Sequence, residues 1–263
     1  MRNSNETRTA LVTGATSGIG YEMTKQLAQG GHDLVLVARN KERLNHLADE
    51  LERNFKIQVS KIPKDLSTPS SPVEIFNELQ DRSIHINILV NNAGFNVWGP
   101  FTQTEWHKEM QMIQVNMITL TQLTKLFLPA MIQRGYGKIL NVGSTGSFGP
   151  APLDSVYCAT KAYVLSFSEA VAEEVRGTGV TVTTLCPGAT NTEFAARAGM
   201  MNVKLFKGSL MAPETVAATG YKAMMDGKTS VVAGWANKAT VFAIRFMPRS
   251  LMAKMIKDMM AKT

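Results

Sequence analysis

The chain has 263 residues, 44% hydrophobic and 19% charged, which suits one large α/β unit; its two cysteines, Cys158 and Cys186, are too few for a disulfide framework. The net charge of +7 lies mostly in the tail, where 236–263 carries Lys238, Arg245, Arg249, Lys254, Lys257 and Lys262 against Asp258 alone. No basic stripe interleaved with aromatics points to nucleic acid, no uncharged apolar run of about 18 residues points to a membrane span, and the polar start over 1–9 has no signal-peptide core; a cytoplasmic protein without a metal is expected.

Segment 9–13 reads as a buried strand, short, apolar and ending at glycine. A glycine-rich turn follows, then a helix over 19–29 that stops at Gly30-Gly31. Residues 33–38 form a second strand, and 40–54 a helix with Leu44, Leu47 and Leu51 on one stripe. A third strand is expected over 56–62, a helix over 72–82 and a fourth strand over 86–91. A helical region spans 104–134, with a bend expected at Pro129. The fifth strand is 137–142, and a long helix over 155–176 is ended by Gly177 and Gly179. The sixth strand is 180–186, a helix begins at Pro213, and 230–233 is the seventh strand. This alternation predicts right-handed βαβ units and a parallel sheet with helices on both faces. Strands apolar along their whole length fit a sheet covered on both sides. No linker divides the chain, so 1–263 is read as one domain, with 188–211 an insertion over the active site and 236–263 a basic extension.

The turn Thr13-Gly14-Ala15-Thr16-Ser17-Gly18-Ile19-Gly20 follows the first strand directly and opens the first helix. Glycines let the backbone approach a pyrophosphate, and a helix N-terminus offers unpaired N–H groups to it. The spacing is GxxxGxG, and in this context a dinucleotide is the expected ligand. The second strand ends at Arg39 with no acid to hold a ribose 2′-hydroxyl. A guanidinium suits a 2′-phosphate, so NADP(H) is predicted; the alternative makes Arg39 a surface residue of the next helix. Asp65-Leu66 after the third strand can reach the adenine, and Asn92, Ala93 and Gly94 close the fourth strand on the cofactor side.

Tyr157 and Lys161 stand four residues apart, on one helix face, with Ser144 upstream. A phenol with a pKa near about 10 is a poor acid at neutral pH, and a nearby cation is expected to pull it down. Such a tuned proton donor is what carbonyl reduction needs.

The segments TGATSGIG at 13–20, Asp65, NNAG at 91–94, Asn116, Ser144, YCATK at 157–161 and PGATNT at 187–192 together resemble the short-chain dehydrogenase/reductase family, in its order and with similar gaps. The resemblance implies a Rossmann-like doubly wound sheet of seven parallel strands and a catalytic tetrad of Asn116, Ser144, Tyr157 and Lys161. It implies that Tyr157 exchanges a proton with the substrate oxygen. Lys161 would stabilise the phenolate and reach the cofactor ribose, Ser144 would hydrogen-bond the carbonyl, and Asn116 would hold a relay water. Pro187-Gly188 would turn the chain beneath the nicotinamide, with Thr192, or Thr190 in its place, near the carboxamide. Homodimers or homotetramers on the helices at 104–134 and 155–176 are implied as well.

The loops after strands four to six supply Phe95, Val97, Trp98, Phe148, Leu153, Phe194, Met200, Met201, Leu205 and Phe206, a set that predicts a hydrophobic carbonyl or secondary alcohol as substrate. In the tail Met252, Met255, Ile256 and Met259 share a helical stripe. Three placements stay open for it: packing on the domain or a sister subunit, contact with an anionic membrane, or partial disorder. The competing functional reading is a nucleotide-sensing or interaction protein on the same fold without turnover.

Overall fold

The computed structural model describes residues 8–262, so the expectation for the extreme N-terminus falls almost wholly outside the described residues. Its strands are β1 (Thr9–Thr13), β2 (Asp33–Ala38), β3 (Val59–Pro63), β4 (Ile86–Asn91), β5 (Gly137–Val142), β6 (Val180–Cys186) and β7 (Ser230–Val232). They form one parallel sheet in the order β3-β2-β1-β4-β5-β6-β7. From β1 the chain steps outward to β3, then crosses back and steps the other way from β4. The connections after β1 and β4 therefore diverge, and a crevice opens at the carboxyl ends of those strands.

Side chains of each strand alternate between two cores. β2 sends Leu34 and Leu36 to one face and Val35 and Val37 to the other, all four buried. Helices α1 (Gly18–Gln29), α2 (Lys41–Phe55) and α8 (Pro213–Met225) cover the first face through Met23, Leu27, Leu44, Leu51 and Val216. Helices α3 (Ser71–Asp81), α5 (Leu120–Arg134) and α6 (Ser155–Glu174) cover the second through Ile75, Leu79, Leu123, Phe127 and Val171, while α4 (Trp106–Ile113) packs Met112 beside Tyr157 and Cys158. Each fully buried side chain of this kind contributes about 1.5–3 kcal/mol. Burial on both faces is why these strands read as unbroken apolar runs.

Two elements depart most from expectation. The third strand begins at Val59 rather than at residue 56, because α2 runs to Phe55 and Lys56 caps it in the left-handed conformation, φ 55°. The helix over 106–134 is interrupted at Gln114–Thr119, a π-helical segment, whereas Pro129 lies inside α5. Hydrogen bonds there span one residue more than in an α-helix, and Asn116 sits at that point. This helix is long and apolar enough to cross a membrane by length and composition, although no uncharged run was expected to be. Here its apolar face, with Met112, Leu123, Phe127 and Met131 buried, packs into the protein.

After β6 comes α7 (Glu193–Arg197), and after β7 come α9 (Trp235–Ile244) and α10 (Arg249–Met259). The tail packs on its own domain. Met252 and Met260 are buried, and Lys204 pairs with Asp258 at 2.7 Å.

Candidate active site

A cleft of about 910 Å³ opens at the carboxyl ends of β1 and β4. Gly14, Thr16, Ser17, Gly18 and Ile19 line it from the β1–α1 turn. Gly14 has φ 65°, and a Cβ there would lie 2.9 Å from the Ala93 Cα, so only glycine lets the turn meet the end of β4. Gly20 does not itself line the cleft: a Cβ on it would meet the Gly14 carbonyl oxygen at 2.2 Å, so glycine there permits close packing of the helix on the turn. No acid occupies the first turn of α1, and the Ser17 side chain makes no capping bond. The N–H groups at this helix end are thus available to an anion. Asn92 donates from Nδ2 to the Thr13 and Gly14 carbonyl oxygens, at 3.0 and 3.1 Å, and so straps the turn to β4 while also lining the cleft.

Arg39, Asp65 and Leu66 line the adjoining end, together with Ala93 and Gly94. Burial raises the Asp65 carboxyl, but the Ser67 N–H and hydroxyl and the nearby Arg39 outweigh it and hold it below the usual range. Arg43 lines the same end and pairs with Glu193 of α7 at 3.2 Å. Arg43 is absent from the expected site: it stands in the first turn of α2, whereas Arg39 precedes that helix, so no helical spacing links the two.

On the other side stand Ser144, Tyr157 and Lys161, all lining the cleft. Ser144 ends the loop after β5 and caps a 3₁₀ turn, its Oγ accepting from the Gly146 N–H at 3.0 Å. On its cleft side the same hydroxyl hydrogen-bonds the phenol of Tyr157. The Lys161 Nζ donates to the Val142 carbonyl oxygen at 2.8 Å and lies 5.7 Å from the centre of the Tyr157 ring. Burial pushes this amine down to about 8. The phenol departs from expectation. Burial, then the carboxyl of Asp154 and the thiol of Cys158, hold it above its ordinary value, and only Ser144 opposes them. The shielding of the ring outweighs any help from the lysine.

Asn116 is almost fully buried and does not line the cleft. Its Nδ2 donates to the Phe95 carbonyl oxygen and to Thr160 Oγ1, both at 3.1 Å, and its Oδ1 accepts from the Phe95 N–H at 3.2 Å. The side chain ties the loop after β4 to α6. It still converges on the site, since a Cβ on Gly94 would lie 3.0 Å from Asn116 Oδ1 and 3.5 Å from Lys161 Nζ. Pro187, Gly188, Thr190 and Thr192 line the cleft after β6; Thr190 donates to the Gly188 carbonyl oxygen, and Thr192 accepts from the Phe194 N–H as the cap of α7.

Of the expected substrate wall, Phe95, Phe194, Met200, Leu205 and Phe206 line the cleft. Trp98, Phe148 and Leu153 do not, and neither do Val97 and Met201. The Trp98 indole N–H donates to the Met260 carbonyl oxygen at 3.2 Å, and Lys262 sits over its ring, so it seats the tail. Leu153 packs with Met200, Val203 and Met260 behind the wall, Phe148 closes the 3₁₀ turn, and Met201 is exposed. Their places are taken by Val241, Ile244, Met255 and Ile256 from the tail. One polar spot interrupts this apolar wall: Asn96 and Asp154 each bury an oxygen that has no hydrogen-bond partner. Burial raises the Asp154 carboxyl to about 6. The sequence reading missed Asp154 too, although it lies one turn before Tyr157.

The chain matches the model of the short chain dehydrogenases over residues 8–202. An oxidoreductase of Staphylococcus epidermidis is 34% identical over 185 residues, 70% of this chain and 79% of the relative. The human very-long-chain 3-oxoacyl-CoA reductase is 33% identical over 188 residues, 68% of this chain and 58% of that enzyme, so the chain spans less than two thirds of it. Among solved structures, a short-chain dehydrogenase from Sphingobium yanoikuyae in complex with NADPH aligns with a TM-score of 0.83 at 33% identity, covering 93% of this chain and 95% of that one.

Proposed function

This chain belongs to the short-chain dehydrogenase family, and from that membership and the cleft we propose that it is an NADP(H)-dependent oxidoreductase interconverting a hydrophobic ketone or aldehyde and its alcohol. The observation that carries this reading is that Tyr157, Ser144 and Lys161 line the same cleft as an acid-free helix N-terminus.

The residues fit the cofactor. The N-terminus of α1 would receive the pyrophosphate. Arg39 and Arg43 would take the 2′-phosphate; the exposed Arg43–Glu193 pair is weak enough to open for it. Gly94 leaves room for a ribose beside Lys161. NADPH supplies the hydride when bound.

The protein's part is to hold the carbonyl and move one proton. Ser144 donates a hydrogen bond to the substrate oxygen as negative charge grows on it, a contribution of about 3 kcal/mol to the barrier. Tyr157 then protonates that oxygen. An alkoxide is a stronger base than a phenolate, so a phenol held above its ordinary value still gives up its proton there. It also keeps that proton beforehand, which is the form that reduction requires. Lys161, pushed down to about 8, can exchange protons near neutral pH and replenish the phenol. Asn116 positions Phe95 and α6 around these groups. The apolar wall of Phe95, Phe194, Met200 and Ile256 supports an apolar substrate. A stripe of exposed Trp106, Met110 and Ile118 on the long helix supports a homodimer or homotetramer built on it.

The test is turnover of NADPH and NADH with a panel of apolar ketones. NADPH is expected to be preferred, and Arg39→Asp to cut that preference by about 10-fold or more. An unmoved ratio would remove Arg39 from the 2′-phosphate site. Tight NADPH binding with no turnover of any ketone would favour a nucleotide sensor instead.

A further inference from the structure

The tail helices have two unlike faces. The inner face of α9 and α10 closes the cleft with Val241, Ile244, Met255 and Ile256. The outer face presents Trp235, Phe242, Phe246 and Leu251, which are 82%, 63%, 77% and 53% exposed. Trp235 and Phe242 stand at helical spacing on α9, Phe246 follows in the turn after it, and the two phenyl rings meet edge to face with centres 5.4 Å apart. Among them stand Lys238, Arg245, Arg249, Lys254 and Lys257, all exposed and, among the described residues, none with an ion-pair partner. The only acid in these helices, Asp258, is already taken by Lys204.

We propose that this outer face docks on an anionic lipid bilayer, with the substrate cleft directly beneath the docked helices. Bulky rings and a leucine standing in water beside unpaired cations match an interface where acyl chains meet negative headgroups. A second copy of the chain fits less well. A two-fold interface sets the same patch against itself, so five cations would face five cations with no acid between them. The docking rests on the proposed function only for its use: an apolar carbonyl compound dissolves in a bilayer, and the helices that would touch the bilayer are those that wall the cleft.

The experiment is flotation of the full chain with extruded vesicles, either neutral phosphatidylcholine alone or with roughly 30% phosphatidylserine. Binding to the anionic vesicles should exceed binding to the neutral ones by about 10-fold and should fall severalfold in about 0.5 M salt. Trp235→Ser/Phe242→Ser/Phe246→Ser should abolish it, and Arg245→Glu/Arg249→Glu should do so independently. None of these side chains lines the cleft, so ketone reduction in vesicle-free buffer should persist in both variants and report that they fold. Equal binding to both vesicles, or undiminished binding by the charge-reversed variant, overturns the proposal. So does a dimer, seen by light scattering, that dissociates in the triple variant, because the face would then belong to a second copy. Anionic vesicle binding by a wild-type protein that reduces no ketone would count against the proposed function alone.

Discussion

Tyr157 is held in its protonated form by its own burial, by Asp154 one turn before it and by Cys158 beside it, against Ser144 alone. If it donates the proton, Tyr157→Phe should lower kcat by about 10²–10⁴-fold. NADPH binding, followed by cofactor fluorescence, should persist, and substantial residual turnover would reassign the proton donor. Asp154 makes a separate prediction. Its carboxyl is raised from 3.8 to about 6 in the folded protein, so the folded state binds that proton more tightly than the unfolded chain does. Its stabilising share is fully present below 3.8 and is lost as pH rises through about 6. Asp154→Asn removes this dependence. The difference in Tm, variant minus wild type, should therefore be more positive at pH 8 than at pH 4. A difference that does not change with pH would show that Asp154 is not the buried acid described. The spacing of Tyr157 and Lys161 on one helix face is plain in the sequence, whereas Asp154, the cap before that helix, was not singled out there. The direction in which the phenol shifts is not plain there, because it depends on how completely later elements bury the ring.

At the level of elements, strand positions were legible and wall positions only in part. β2, β4, β5 and β6 lie where alternating burial on two faces makes an apolar run visible. The π segment at Gln114–Thr119 had no such sign, since it reflects how Asn116 reaches Phe95 and Thr160 on neighbouring elements. Trp98 looked like a pocket residue by its loop, and only the tail's return gives its indole a partner. Met252 anchors that return: it is 3% exposed, and a Cβ on Gly149 would lie 2.1 Å from its Sδ. Met252→Ala should loosen α10 locally, because the cavity it leaves costs about 2–5 kcal/mol, and the helix has few other buried side chains. Trypsin should then cut faster at Lys254 and Lys257, and KM for apolar ketones should rise more than kcat falls. Unchanged cleavage and KM would mean that α10 is held elsewhere.

Across the whole molecule, the reversal of strand order between β1 and β4 brings together groups far apart in the chain. Gly14, Gly94, Tyr157 and Gly188 meet at one crevice because parallel strands all end on the same side. By itself the sequence determined the alternation of strand and helix, the glycine-rich turn, and the placing of Tyr157 with Lys161 on one helix face. These are local facts, set by period, glycine and helical spacing. Tertiary structure alone decided which apolar side chains wall the cleft, which arginine stands beside Arg39, and where the basic tail lies. Those outcomes depend on contacts such as Trp98 with Met260, or Arg43 with Glu193, between segments whose separation along the chain leaves no periodic trace.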